Sequence, residues 1–277
     1  MVNGLFKLES VSYTYPDGRP GLTEADLSIA PGESVVIVGA NASGKSTLLR
    51  LLAGLAFPSA GEVVAYDVRL TEAALDHGAF AQSFRQRVAL LFQDADVMLF
   101  NPTVYDDIAF GPLQLELSEE EVRRRVDDML DLFGLRAIAQ QPPHALSGGE
   151  KKKVALAALL ATSPETLLFD EPTTGLDPRF QRWFVEMAVE LRGIGKTLVT
   201  ATHDLHIVPE IGDRVVVLGE DHRIAAVGTP AEILGDLDLL LSVNLIHQHA
   251  HPHDGSVHLH PHTHLHEHGH EPHDGPR

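Results

Sequence analysis

The stretch Gly39-Ala-Asn-Ala-Ser-Gly-Lys-Ser-Thr47 lies between the apolar run Ser34–Val38 and a leucine-rich segment beginning at Leu48. A continuous apolar run of this kind suits a strand buried on both faces, and the leucines that follow suit a helix. Gly39-x-x-x-x-Gly44-Lys45-Ser46 is therefore a glycine-rich turn joining a buried strand to a helix N-terminus, the context in which this spacing cradles phosphate. Glycines let the backbone curl so that several N–H groups face phosphate oxygens, and the helix adds the positive end of its dipole. On this reading Gly39, Asn41, Ala42, Ser43, Gly44, Lys45, Ser46 and Thr47 enclose a nucleotide. Lys45 reaches the β- and γ-phosphates, and the Ser46 hydroxyl ligates Mg²⁺. An ordinary glycine-rich turn is the bland alternative, and the strand before and helix after argue against it.

A second segment, Thr166-Leu-Leu-Phe-Asp-Glu-Pro172, reads as an apolar strand delivering two carboxylates at its C-terminal end. Alone it would be a solvated acidic turn. Joined to the glycine loop it supplies what phosphoryl transfer lacks: Asp170 to hold Mg²⁺ through water, and Glu171 to position and deprotonate the attacking water.

The rest of the chain gives these two segments a frame. Residues 6–30 read as two short strands separated by a Pro/Gly/Asp turn, and further strands are expected at residues 33–40, 61–68, 86–93, 166–171, 195–203 and 213–219. The clearest helix is Leu117–Leu135. Ser118 and Glu121 suggest a capping box, Val122, Val126, Met129, Leu130 and Phe133 share a face, and Gly134 is placed to end it. Helices are also expected from Gly148 onward, over 178–193, and over 204–212. Strands alternating with helices imply an α/β fold with a mainly parallel core sheet, here interrupted by a helical insertion at about residues 94–163.

After about Leu245 the composition changes. Twelve of the 17 histidines fall between His247 and His273, at His247, His249, His251, His253, His258, His260, His262, His264, His266, His268, His270 and His273. Histidine at every second position shares one side of an extended chain and not of a helix. Neutral imidazole suits Ni²⁺, Co²⁺, Zn²⁺ or Cu²⁺, so residues 246–277 read as a metal-binding tail, without fixed structure until a ligand is bound. Residues 1–245 make the globular domain. The 21 basic and 39 acidic residues leave a formal charge of −18, which disfavours nucleic acid as a partner. With no cysteine, no disulfide or thiolate site is possible. No secretory signal and no bilayer-spanning run is expected.

Ala145-Leu-Ser-Gly-Gly-Glu-Lys151 resembles the signature of ABC-type ATPases, and the family's other motifs occur in its order. The resemblance implies a P-loop NTPase of ABC type, with an antiparallel β subdomain and the helical insertion. It implies that Tyr15 stacks on adenine and that Gln93 links Mg²⁺ and γ-phosphate to a membrane partner. Gly175-Leu176-Asp177 resembles the D-loop, and His203 the switch histidine that contacts γ-phosphate. Two such domains meet head to tail in this family. Ser147, Gly148, Gly149, Glu150 and Asp177 of one copy would therefore complete the ATP site of the other, in a homodimer or heterodimer.

Residues 92–115, with Tyr13–Gly18, resemble ATPases of energy-coupling-factor importers, particularly the cobalt/nickel group. That resemblance implies an ATP-driven motor on the cytoplasmic face of the cell membrane, peripheral, bound to integral membrane scaffold and substrate-binding subunits. Asp94, Asp96, Asp106 and Asp107 could face arginines of the scaffold. The expected cargo is cobalt or nickel. An importer for a vitamin or zinc with a metal-buffering tail, or a soluble ABC ATPase unlinked to transport, are the alternatives. A metal-storage protein that merely kept the fold is opposed by Lys45 and Glu171.

Overall fold

The computed structural model describes residues 4–253 and 256–262 of the chain. Its first sheet is antiparallel. β1 (Phe6–Thr14) pairs with β2 (Pro20–Ile29) on one side and β4 (Ala60–Ala65) on the other, and β5 (Val68–Arg69) pairs with β4. Residues 61–68, expected as one strand, reverse direction near their C-terminal end. Tyr66 and Asp67 both take left-handed backbone, with φ of 51° and 62°, the geometry that matches a two-residue turn to strand twist.

The second sheet has the order β10-β9-β3-β8-β7-β6. β3 (Ser34–Gly39), β6 (Val88–Leu91), β7 (Thr166–Asp170), β8 (Thr197–Thr202) and β9 (Arg214–Leu218) run parallel, and β10 (Ile224–Gly228) pairs antiparallel at the edge. Every residue of β3, β7 and β8 is buried, as strands covered on both faces require. Their side chains alternate between two cores. Val36, Val38, Leu167, Phe169, Val215 and Val217 join one, and Val35, Ile37, Leu168, Val199, Val216 and Leu218 join the other. The second core also contains the antiparallel sheet and α1 (Lys45–Leu52), so the glycine loop is anchored on apolar packing from both sides.

α2 (Glu72–Asp76) and α3 (Ala79–Arg87) lead into β6, after which comes the expected insertion of α4 (Val104–Gln114), α5 (Glu119–Leu132) and α6 (Gly148–Ala161). In α5, Val122, Val126 and Leu130 are buried and Gly134 has φ +65°, the left-handed conformation that stops a helix. The expected capping box is only half made. The Ser118 hydroxyl accepts from Glu121 N at 3.3 Å, but the Glu121 carboxylate turns to Arg124 and Arg125. Hydrogen bonds from Arg124, then Arg125, hold that carboxyl down to about 2.

α7 (Pro178–Gly193) follows β7 as expected. Residues 204–212 hold only the four-residue α8 (Val208–Ile211), because Pro209, in its first turn, has no N–H with which to extend the helix backwards. α9 (Pro230–Gly235) and α10 (Leu237–Ser242) close the domain, Leu240, Val243, Leu245 and Ile246 returning to the first core. α9 opens with a full capping box between Thr229 and Glu232.

β11 (His247–His253) and β12 (Ser256–His262) pair antiparallel as a separate two-stranded sheet. The alternating pattern that ruled out a helix is the pattern a strand can use. His264, His266, His268, His270 and His273 lie outside the described residues.

Candidate nucleotide site

The loop after β3 approaches β2 so closely that side chains are excluded. Gly44, at φ +111°, would place a Cβ 2.3 Å from the Gly21 carbonyl oxygen. Gly39 would place one 2.5 Å from Ser43 Oγ and 2.7 Å from Leu218 O. Between these fixed points Lys45 is buried, its Nζ donating to Gly39 O at 2.8 Å and Ala40 O at 3.2 Å. Burial lowers its pKa, opposed by the carboxylates of Glu171 and Asp170.

β7 carries the acidic pair to the same place. Glu171 takes a left-handed φ of 48° and is buried. Its Oε1 lies 3.6 Å from Lys45 Nζ; its Oε2 lies 2.8 Å from His203 Nδ1 and accepts from Thr174 Oγ1 at 3.2 Å. The Glu171 backbone is fixed as well, its N–H donating to Ala201 O at 2.9 Å and its carbonyl accepting from Lys152 Nζ at 2.7 Å. Lys45, Glu171 and His203, far apart in the chain, thus meet in one cluster.

Tyr15, Asn41, Ala42, Gly44, Lys45, Ser46, Thr47, Gln93, Glu171 and His203 line a cavity of about 770 Å³. Tyr15 is braced at its hydroxyl, 2.6 Å from Thr47 Oγ1, and edge-on to Tyr13 with ring centroids 5.1 Å apart. Arg19, Arg50, Thr174 and His222 also line the cavity and were not anticipated. They come from turns and helix positions with no motif to mark them.

The buried atoms fit Mg²⁺ with phosphate. Ser43 Oγ and Asp170 Oδ1 are buried without a hydrogen-bond partner. Burial pushes the Asp170 carboxyl up, opposed by the Ser46 hydroxyl, which places an alcohol and a carboxylate side by side as hard oxygen donors. Asp170, Ser46 and Gln93 would hold the ion, which neutralises phosphate charge when bound.

The signature segment stands apart. None of Ser147, Gly148, Gly149, Glu150 or Asp177 lines that cavity. Ser147 caps α6 with a full capping box: its N–H donates to Glu150 Oε2 at 2.8 Å, its hydroxyl donates to the same oxygen at 2.6 Å and accepts from Glu150 N. Ser147 and Gly148 are exposed. Asp177 caps α7, accepting from Phe180 N at 3.0 Å.

One residue of the signature helix was missed. Lys152 lies within the run Lys151-Lys152-Lys153, yet it is buried and bonds the carbonyls of Glu171 and Thr174. The signal was its position: it falls two residues before Val154, inside the stretch of α6 that the core covers. Its neighbour Lys151 pairs with Asp96 at 2.6 Å, tying α6 to the loop after Gln93.

The four aspartates proposed to face a scaffold are internally engaged. Asp96 holds Lys151, Asp94 accepts from Asp96 N, and Asp106 accepts from the Thr103 hydroxyl. Asp107 is buried, its Oδ1 accepting from Phe100 N, Asn101 N and Asn101 Nδ2 at 2.9–3.1 Å. Asp107→Ala should lower the free energy of unfolding by about 1–3 kcal/mol, the cost of stranding those donors. Urea denaturation checks it, and Asp107→Asn, which keeps an acceptor oxygen, should recover part of the loss.

A phosphate cradle, a buried carboxylate beside a lysine and a histidine, and oxygen donors for Mg²⁺ define an ATP-hydrolysing P-loop protein. Residues 22–174 match the ABC transporter family model. The chain is 48% identical over 247 residues to a putative ABC transporter ATP-binding protein of Methanosarcina acetivorans, covering 88% of this chain and 90% of that one. It is 47% identical over 244 residues to the nickel import ATP-binding protein NikO of Rhodobacter capsulatus, covering 87% and 95%. Among solved structures it is similar to cbiO1 of Clostridium perfringens, part of the ABC transporter complex cbiONQ, with 35% identity, TM-score 0.72, and 87% and 95% of the two chains covered. The chain belongs to the ABC transporter family and is an ATPase coupled to transport. Among the described residues no helix is long and apolar enough to cross a membrane.

Proposed function

We propose that this chain is the motor of an importer for a divalent transition metal ion, cobalt or nickel. It would work as a dimer on the cytoplasmic face of the membrane, bound to a membrane scaffold and a substrate-binding subunit. The observation that carries the motor reading is the separation of the site into two parts. The glycine loop, Glu171 and His203 line one cavity, while Ser147 and Gly148 present a helix N-terminus outside it. A second copy supplies the missing half, so ATP joins two subunits and its hydrolysis parts them.

Within one subunit the roles follow from position. Glu171 takes the proton of the attacking water, with His203 orienting its carboxylate. Lys45 offsets charge on the phosphates, and Ser147 of the second copy approaches the γ-phosphate from the other side. Exposed Val97, Phe100, Phe110 and Leu113 would give the scaffold an apolar seat, with Phe100 and Phe110 packed edge to face at 4.9 Å.

Two facts support a metal cargo: the relation to a nickel import protein, and the tail histidines. Deleting residues 247–277 should abolish Ni²⁺ or Co²⁺ binding in calorimetry and spare ATP hydrolysis. Binding by the full chain should weaken as pH falls below about 6.5, where protonated imidazole has no lone pair to give. Purifying the chain with its membrane partners and analysing bound elements tests the cargo. A complex loaded with an organic vitamin and no metal would overturn it.

A further inference from the structure

The ladder of the tail puts histidine opposite histidine. Its register pairs His247 with His262, His249 with His260 and His251 with His258, while His253 faces Ser256. Residues paired across an antiparallel ladder share a face, and so do alternate residues along each strand. All seven histidines of β11 and β12 therefore lie on one face, and Gln248, Ala250, Pro252, Val257, Leu259 and Pro261 on the other.

Two features of the sequence fit this register independently. Only Asp254 and Gly255 join the strands, the dipeptide that two-residue hairpins favour. A two-residue connection makes its flanking pair a hydrogen-bonded pair, and every second pair after it. The histidine pairs take those positions. Pro252 and Pro261 then fall at the alternate positions, where a strand's N–H faces away from its partner, so the missing donor costs the ladder nothing.

We infer that the tail is a metal-closed hairpin, with His249, His260, His251 and His258 as one four-histidine site. This rests on the metal-binding reading of the tail above. Cα atoms of directly opposed residues lie about 5.5 Å apart and alternate residues of a strand about 6.7 Å apart, so the four positions frame a patch the size of one coordination sphere. Imidazole is the ligand borderline divalent ions such as Ni²⁺, Co²⁺ and Zn²⁺ accept. An isolated two-stranded hairpin is marginal in water, so the ion contributes the closing free energy and binding is coupled to strand formation. The histidine count alone does not set affinity; which face each histidine occupies does.

The test keeps composition and changes parity. In the full chain, Val257→His, His258→Val, Leu259→His and His260→Leu together move two histidines to the opposite face and leave both prolines in place. Titrated with Ni²⁺ alone, the native chain should bind its first ion at least tenfold more tightly than the rearranged one. It should also gain strand signal in far-ultraviolet circular dichroism, which the rearranged chain should not. Equal affinities would overturn the hairpin site and leave a metal-binding tail. Absence of Ni²⁺ binding by the native chain would overturn the tail reading itself.

Discussion

Glu171→Gln should abolish steady-state ATP hydrolysis, by about 10²–10⁴-fold for loss of a general base, while ATP still binds. Glutamine keeps the size of the side chain and an oxygen that can meet His203 Nδ1, now 2.8 Å from Oε2. It removes the proton acceptor and the negative charge 3.6 Å from Lys45. Both changes favour nucleotide retention, because Lys45 loses its internal counter-ion and remains free to serve phosphate. The variant should therefore accumulate as an ATP-bound dimer, seen as a doubling of mass in gel filtration with ATP and Mg²⁺ and not with ADP. Phosphate release within a few-fold of the parent would mean that Glu171 is not the base. A variant inactive but monomeric with ATP would count against the two-part site.

The second large effect is expected at Lys152. Its ammonium is buried and donates to Glu171 O and Thr174 O at 2.7 and 3.4 Å, fixing the loop that carries the proposed base and the threonine bonded to it. Burial lowers the Lys152 pKa, and the carboxylates of Glu171 and Asp170 oppose that shift, so the cation is held by the site it supports. Lys152→Met preserves the aliphatic stem but leaves two carbonyls without their donor, costing about 1–3 kcal/mol for each that stays buried. The turnover number should fall about tenfold or more with little change in ATP affinity, because the phosphate loop is untouched. Lys152→Arg should restore part of the rate. Steady-state kinetics beside thermal denaturation separates a displaced base from simple unfolding.

How much of this was legible in the sequence depended on whether a residue's role is local. The strand, glycine loop and helix at 34–52 could be read because backbone sterics there admit little else: Gly44 has no room for a side chain. The end of α5 at Gly134 was legible for the same kind of reason. The reversal at Tyr66 and Asp67 was not, because residues with side chains take left-handed backbone there and only the partner strand reveals why. Lys152 was missed because charge alone does not show which side of a helix the core covers. Glu121 was misassigned because its neighbouring arginines outcompete a backbone N–H, a rivalry that a spacing rule ignores. Arg19, Arg50 and His222 reach the cavity only through the tertiary fold.

α6 has one further consequence. Ser147 at its tip is exposed, where the proposed second copy would meet it, and Lys152, five positions on, grips the Glu171 loop of its own chain. Each residue of a helix advances the next by about 100°, so these two duties fix the phase of the segment between them. Inserting or removing a single amino acid in that interval would turn one end away from its task whatever residue was chosen. In the proposed dimer the first turns of α6 would act as a rigid crank between the two fuel molecules of the pair, their length as constrained as any side chain in the site.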